Sequence, residues 1–277
     1  MPLASIMVNF ELTDEQQMLR ELARDFANEE IKPNAAHWDK ESIYPIEAIA
    51  RANELGLLTL KIPQKYGGGG MGSFEEVLVL EELGFGDPGF ATAAGSSMLA
   101  SYPLITGGTE AQKEKYLRMV TEGKIAAYCV TEPGAGSDVQ SIQTEAVKDG
   151  DEYIINGQKM WITNATQADY FCVLVNTSEG NPHRNKSLII IPSDTKGVSI
   201  GDKIDKLGLR TSDTAPVYFD NVCIPQRFRI GKEGEGFKMQ MEQFQEERLF
   251  LSASILVAMD ICIDKTIEYC KDRKAFG

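Results

Sequence analysis

The feature that most constrains the fold is a long helical pattern that begins at Gly236 and continues almost to the end of the 277-residue chain. Part of the pattern is a stripe of residues that lie within roughly 40° of one line on a helix. The residues of this stripe are Phe237, Met241, Phe244, Arg248, Leu251, Ile255 and Ala258. A helix of this length with one apolar stripe is not stable alone in water, so we expect it to pack against partner helices.

The first 124 residues carry several shorter helical patterns. Thr13 and Gln16 form a T-x-x-Q capping box at the start of the first helix, and Pro33 closes it. Further helices are predicted at residues 45–56, 74–83, 88–100 and 110–120.

The pattern changes near Ile125, because from there to about Pro225 apolar residues alternate or run in short blocks. Asp149-Gly150 and Asn156-Gly157 are predicted hairpin turns. No helical stretch separates the predicted strands, which favours a small antiparallel β-domain over a parallel Rossmann sheet. The predicted class is therefore α+β, with a helical domain at residues 1–124, a β-domain at 125–231 and a long helix within 232–277.

Composition excludes several kinds of partner. The chain has 28 Lys+Arg and 41 Asp+Glu, a net charge of −13, so nucleic acid and anionic membranes are poor partners. No apolar run reaches the roughly 18 residues of a membrane span. Residues 1–10 lack the basic and apolar regions of a signal peptide, so none is expected.

The cysteines and histidines predict no special chemistry. There are five cysteines, none in C-x-x-C spacing, and four of the five lie among apolar residues. This arrangement predicts buried free thiols in a reducing compartment. His37 and His183 lie apart from each other and from a cysteine cluster, so no metal site is predicted.

Two segments of the predicted β-domain combine glycines, hydroxyls and an aromatic ring. Residues 128–138 read YCVTEPGAGSD, a strand that ends in a Gly-x-Gly-Ser turn. Such a turn lets backbone N–H groups approach ligand oxygens, although a plain connection between strand and loop explains it equally well. Residues 159–164 place Trp161 beside Thr163, where an indole could cover a flat ring and a hydroxyl could bond its edge. Core packing is the alternative explanation for this tryptophan.

Charged residues interrupt the long helix at Glu246-Glu247-Arg248. Helical periodicity directs Glu246 away from the apolar stripe, where it is expected to be solvated, and places Glu247 on the flank of the stripe. Apolar surroundings disfavour the charged form of a carboxylate, which makes a glutamate a useful base near neutral pH. A structural ion pair or a snorkelling side chain is the alternative.

Taken together, these segments resemble the acyl-CoA dehydrogenase family along the whole chain. Similar segments also occur at residues 63–68, 207–212, 219–225, 234–237 and 273–277. The resemblance implies N-terminal helices, a middle β-domain and a C-terminal four-helix bundle, with FAD between the last two. Residues 232–277 would then supply the first helix of that bundle.

The resemblance also implies roles for individual residues. Those that would bind FAD are Tyr128, Val130, Thr131, Gly136, Ser137, Trp161, Ile162 and Thr163. Arg273 and Phe276 would reach the FAD of a neighbouring subunit. Those that would contact acyl-CoA are Ser137, Phe244, Gln245 and Arg248. Many relatives carry Asp where this chain has Gln245. No metal is implied.

The implied reaction converts an acyl-CoA thioester to a trans-2-enoyl-CoA. A base removes the α-proton, flavin N5 takes the β-hydride, and the electrons pass to electron-transfer flavoprotein. Residues 245–249 resemble the isovaleryl and long-chain branches, which place the base just before the helix arginine, so Glu247 is the expected base. A homotetramer in a bacterial cytoplasm or a mitochondrial matrix is also implied.

Several alternatives stay open at this point. One is an acyl-CoA oxidase, in which oxygen takes the electrons. Another is a truncated, non-catalytic scaffold, because in the family the chain beyond Gly277 supplies the remaining bundle helices. The acyl group is not decided either, since the small Gly95, Ser96 and Ser97 would suit both a long or branched chain and close helix packing.

Overall fold

The computed structural model describes residues 11–277, in which helices are followed by a sheet and then by one long helix. This order is the predicted one. The predicted absence of a signal peptide concerns residues 1–10, which lie outside the described residues. The predicted domain divisions at residues 124 and 231 stay predictions.

The helices begin close to the predicted positions. They are α1 Asp14–Phe26, α2 Ala35–Glu41, α3 Ile46–Glu54, α4 Ser73–Gly86, α5 Pro88–Gly107, α6 Glu110–Gln112, α7 Arg118–Thr121 and α8 Gly236–Asp272. The capping box is confirmed, because the Thr13 hydroxyl accepts from the Gln16 N–H and the Gln16 side chain accepts from the Thr13 N–H. Helix α2 was not predicted, and α5 runs past the predicted end at residue 100.

The middle of the chain forms one eight-stranded sheet. Its strands are β1 Ala126–Cys129, β2 Glu145–Asp149, β3 Glu152–Thr163, β4 Tyr170–Asn176, β5 Lys186–Pro192, β6 Val198–Ile200, β7 Thr214–Pro225 and β8 Arg229–Ile230. The order along the sheet is β6-β7-β3-β2-β4-β5-β8, and β1 pairs with β4. The pairing is mainly antiparallel, as predicted, but β4 is parallel to β1 and to the first residue of β2.

One predicted turn is correct and the other is wrong. Asp149-Gly150 lies at the turn between β2 and β3, whereas Asn156-Gly157 lies inside β3, at an irregularity in its pairing with β7. Gly157 has φ +145°, and a Cβ there would lie 2.6 Å from the Thr144 hydroxyl oxygen. The glycine therefore serves a close approach of two chain segments and not a reversal of the chain.

Three apolar cores hold the molecule together. One lies inside the helical domain, and a second lies on one face of the sheet. The third packs the other face of the sheet against the helices, where Leu104 of α5, Tyr170 of β4 and Met239 of α8 meet. The functional side chains lie beside this junction of helices, sheet and α8.

The face of α8 that packs against the protein is not the predicted stripe. Met239, Gln240, Gln243 and Phe250 are buried, whereas Ile255 of the predicted stripe is 57% exposed. Helix α8 packs on α4 and α5, so the position of these two helices selects the buried face. The sequence pattern of α8 alone does not contain that information.

Two further findings concern the surface. All five cysteines are free, but Cys223, Cys262 and Cys270 are exposed, so the prediction of buried thiols holds only for Cys129 and Cys172. Among residues 11–277, none of the helices has the length and apolar character needed to cross a membrane.

Candidate active site

A cleft opens where the ends of β1 and β3 face α5 and α8. Its lining residues are Ser96, Leu99, Tyr128, Val130, Thr131, Trp161, Ile162, Thr163, Phe244 and Glu247. The structure therefore brings both β-domain motifs and the predicted base to one place. Apolar walls with a few polar groups are typical of a cofactor or substrate site.

A buried ion pair joins the two β-domain motifs. Lys159 is fully buried, and its Nζ lies 2.8 Å from Glu132 Oε1 and 3.1 Å from the Val130 carbonyl oxygen. The Thr131 carbonyl accepts from the Met160 N–H at 2.8 Å. Burial raises the pKa of Glu132, but Lys159 and the hydrogen bonds outweigh burial and hold it below its ordinary value. The carboxylate stays ionised and fixes the cleft walls to each other.

Trp161 is held in an unusual backbone conformation. It has φ +64°, and it lies in an irregular stretch where Lys159 pairs with Val217 but Ile162 pairs with Ala215. The extra residue is a β-bulge, which re-aims side chains beside functional sites. The indole is 55% exposed at the cleft, so the core-packing explanation for Trp161 does not hold.

Hydrogen bonds tie α8 to the sheet beneath the cleft. The Tyr128 hydroxyl donates to Gln240 Oε1 at 2.6 Å, and Gln240 Nε2 donates to Gln243 Oε1 at 3.3 Å. Burial raises the pKa of Tyr128 far above its ordinary value, so the hydroxyl remains a donor. The Tyr128 bond joins α8 to the sheet about two turns before Glu247.

The two adjacent glutamates of α8 have opposite environments. Burial raises the pKa of Glu247, and Arg248 only partly offsets that effect. Glu246 instead pairs with Lys61 at 2.8 Å and accepts from the Ser73 hydroxyl, and these two contacts lower its pKa. The expectation that Glu246 is solvated is therefore wrong, because α4 and the segment before it approach that side of the helix.

Several predicted site residues lie outside the cleft lining. Gly136 and Ser137 are exposed on the turn after β1, and Gln245 and Arg248 are exposed on α8. The Arg248 guanidinium carbon lies 5.4 Å from the centroid of the Phe244 ring. Arg273 and Phe276 follow the end of α8 and are also exposed. The roles of all these residues stay predictions.

Sequence reasoning did not assign Leu99, Gln240, Gln243 or Lys61 to the site. Leu99 lies on α5 among small residues, and the two glutamines read as ordinary polar residues of α8. Lys61 lies 185 positions from its partner Glu246. No local pattern encodes a contact over that distance in the chain.

The comparisons with known proteins agree on one family. The family models for the N-terminal, middle and C-terminal domains of acyl-CoA dehydrogenase match residues 13–124, 127–222 and 234–277. A probable medium-chain specific mitochondrial acyl-CoA dehydrogenase of Caenorhabditis briggsae is 40% identical, over 98% of this chain and 67% of its own length. A short-chain specific acyl-CoA dehydrogenase of Clostridium acetobutylicum is 37% identical, over 98% of this chain and 72% of its own length.

Solved structures show the same likeness. Butyryl-CoA dehydrogenase from Megasphaera elsdenii superimposes with a TM-score of 0.92 at 35% identity, over 98% of this chain and 72% of its own length. The fold and the cleft define an FAD-dependent flavoprotein oxidoreductase. The chain belongs to the acyl-CoA dehydrogenase family, whose members are enzymes of fatty acid β-oxidation and are typically tetramers.

The cleft fits the flat ring of the family's cofactor, FAD. Trp161 offers an exposed indole at the cleft, and the ends of β1 and β3 offer the hydroxyls of Thr131 and Thr163. Within residues 11–277 neither hydroxyl is used by another protein group. In the same range, no group of three or more His, Cys, Asp and Glu side chains could hold a metal ion.

Proposed function

We propose that the protein dehydrogenates an acyl-CoA thioester between its α- and β-carbons to give a trans-2-enoyl-CoA. Family membership supports the reaction class. The observation that carries the proposal is the position of Glu247, whose carboxylate side chain lines the same cleft as Thr131, Trp161 and Thr163.

Glu247 is the proposed base that removes the α-proton. A base works best when its pKa lies near the operating pH, and burial moves the pKa of Glu247 upward in that direction. Glu246 is unsuited to this role, because Lys61 and Ser73 already use its carboxylate. The enolate that forms as the proton leaves needs hydrogen-bond donors at the thioester oxygen.

The cofactor is proposed to lie against the ends of β1 and β3. Trp161 would cover the face of the flavin ring, and Thr131 and Thr163 would bond its polar edges. Tyr128, Val130, Gly136, Ser137 and Ile162 complete the proposed set of FAD-binding residues. Bound FAD supplies the acceptor for the β-hydride.

The remaining assignments follow from family membership. Ser137, Phe244, Gln245 and Arg248 are proposed to contact the acyl-CoA substrate. Arg273 and Phe276 are proposed to reach the FAD of a neighbouring subunit in a homotetramer. Electron-transfer flavoprotein is the proposed electron acceptor, in a bacterial cytoplasm or a mitochondrial matrix.

The experiment mixes the FAD-loaded protein with acyl-CoA thioesters under nitrogen and follows the visible absorbance of the flavin. We expect butyryl-CoA to remove that absorbance and to yield the 2-enoyl thioester. Pivaloyl-CoA is the matched control, because it lacks an α-hydrogen and should leave the colour unchanged. A flavin that keeps its colour with every acyl-CoA would contradict the proposal. Stoichiometric peroxide release in air would instead identify an oxidase.

A further inference from the structure

A tight turn at residues 164–167 follows β3, directly after the strand end that carries Trp161 and Thr163. Its first residue, Asn164, has φ +63°, and Trp161 has φ +64°. Left-handed backbone of this kind is uncommon outside glycine, and it persists where the surrounding contacts hold it in place. The contacts of the 164–167 turn therefore bear on the direction in which the Trp161 indole points.

Asp213, the residue before β7, holds this turn with its backbone and with its side chain. Its carbonyl oxygen accepts from the Asn164 N–H at 2.9 Å. Its carboxylate oxygen Oδ2 accepts from the Gln167 side-chain amide at 2.9 Å and from the Thr166 hydroxyl. One residue thus binds both the start and the end of the turn.

The Asp213 carboxylate is buried and charged. Asp213 is 4% exposed, and Lys203 pairs with its other carboxylate oxygen, Oδ1. Burial raises the pKa of Asp213, but Lys203, Thr166 and Gln167 outweigh burial and hold it below its ordinary value. An ionised carboxylate accepts stronger hydrogen bonds than a neutral group does. Asp213 therefore binds the turn more strongly than a neutral side chain would.

The same turn is bound to α5, the helix that faces the end of β3 across the cleft. Asn164 Nδ2 donates to the Ala93 carbonyl of α5 at 2.8 Å. Ser96 and Leu99, which follow on α5, line the cleft. If the turn moved, Trp161 and the end of β3 would move relative to α5.

We propose that Asp213 is a positioning residue for the flavin-binding end of β3, an inference that rests on the proposed function. Asp213 does not line the cleft itself. It acts through the 164–167 turn, which holds Trp161 and Thr163 where they contact the flavin ring. Supporting hydrogen bonds of this kind keep a binding site close to its productive geometry.

The first test releases the turn and leaves Asp213 paired with Lys203. Thr166→Val and Gln167→Met are combined in one variant, in a Trp38→Phe background that leaves Trp161 as the sole tryptophan. In the full chain before FAD is added, the fluorescence anisotropy of Trp161 should fall, because the indole gains motion. An unchanged anisotropy would overturn the proposal. This measurement does not need bound FAD, so it decides even if the proposed function fails.

The second test measures the dissociation constant of FAD. Asp213→Ala should raise it by about tenfold or more, the order seen when a metal site loses an outer-shell partner. Asp213→Asn keeps a side-chain oxygen for the turn and should raise it less. An unchanged constant in Asp213→Ala would overturn the proposal. If Asp213→Ala does not fold, the variant of the first test takes its place.

The chain provides a matched control in Glu82, a buried carboxylate that does not line the cleft. Glu82 is 3% exposed and pairs with Arg20 at 2.7 Å and with Arg24 at 2.6 Å. Glu82→Ala should leave the dissociation constant of FAD and the anisotropy of Trp161 unchanged. Equal changes in this control would trace them to a general loss of stability and would overturn the proposal. Failure of the unaltered protein to bind FAD would instead contradict the proposed function.

Discussion

The two parts of α8 differ in which side chains they bury, although they belong to one helix and carry one kind of sequence pattern. Residues 236–250, the packed half, bury Met239, Gln243 and Phe250 against the rest of the protein. Residues 251–272, the open half, bury Val257 but leave Leu256 60% and Ile263 54% exposed. The buried face of the packed half is partly polar, and the open half exposes several large apolar side chains beside its charged ones.

This contrast shows that the most apolar stripe of a helix need not be its buried face. In the packed half, Gln240 accepts from the Tyr128 hydroxyl and Glu246 pairs with Lys61, and these polar contacts lie beside the site. Apolar residues on the outer face of the open half are available to other protein surfaces. Four predictions test this difference, from the largest expected effect to the smallest.

Shortening a buried side chain of the packed half should destabilise the protein most. Phe250 is 8% exposed and belongs to the core of the helical domain, so Phe250→Ala should lower the free energy of unfolding by about 3–5 kcal/mol. The matched change Ile263→Ala in the open half should lower it by less than about 0.5 kcal/mol. Urea denaturation measures both values, and equal losses would contradict the contrast between the halves.

Removing the charge of Glu246 should have a moderate effect. Glu246→Gln is expected to lower the free energy of unfolding by about 1 kcal/mol at neutral pH, because Lys61 loses an ionic partner. The folded-state pKa of Glu246 is lowered, so its stabilisation is present above the unfolded pKa and is lost as pH falls through the folded pKa. Denaturation at neutral and acidic pH should show a difference from the unaltered protein that shrinks in acid. A difference independent of pH would argue against the ion pair.

Replacing Glu247, the next residue, by Gln should change the free energy of unfolding in the opposite direction. The folded-state pKa of Glu247 is raised, so its burial reduces stability as pH rises above the unfolded pKa. Glu247→Gln should therefore raise the free energy of unfolding by up to about 1 kcal/mol at neutral pH. At pH values below the unfolded pKa, the variant and the unaltered protein should be equally stable. Destabilisation at neutral pH would contradict the unfavourable effect of burial on this carboxylate.

The smallest effect on stability is expected for a polar substitution in the open half. Met259 is 54% exposed, so Met259→Ser should change the free energy of unfolding by less than about 0.5 kcal/mol in dilute protein. Sedimentation at increasing protein concentration should show weaker self-association of this variant, because the exposed apolar area is smaller. A large loss of stability in dilute protein would mean that Met259 is already packed.

Much of the architecture could be predicted from local patterns. The T-x-x-Q box at Thr13, the Asp149-Gly150 turn and the change from helices to strands near Ile125 are each encoded within a few residues. Asn156-Gly157 has the same local pattern as the correct turn, but its glycine is needed for contact with Thr144. Close approach of distant segments is invisible to a local pattern.

The site could be predicted only in part, for the same reason. The resemblance to the acyl-CoA dehydrogenase family placed Thr131, Trp161 and Thr163 at one flavin site, and the cleft contains all three. The different environments of Glu246 and Glu247 depend on Lys61 and on the packing of α4, which periodicity along α8 does not contain. The sequence therefore predicted a base at position 247 but not the ion pair that distinguishes it from its neighbour.

The rate at which butyryl-CoA reduces the FAD-loaded protein in a single turnover tests the assignment of Glu247 most directly. Glu247→Gln should keep bound FAD and slow this rate by about 10²–10⁴-fold, the usual contribution of a general base. Glu246→Gln, the matched control, should stay within about tenfold of the unaltered protein. An undiminished rate in Glu247→Gln, or an equal loss in both variants, would contradict the assignment.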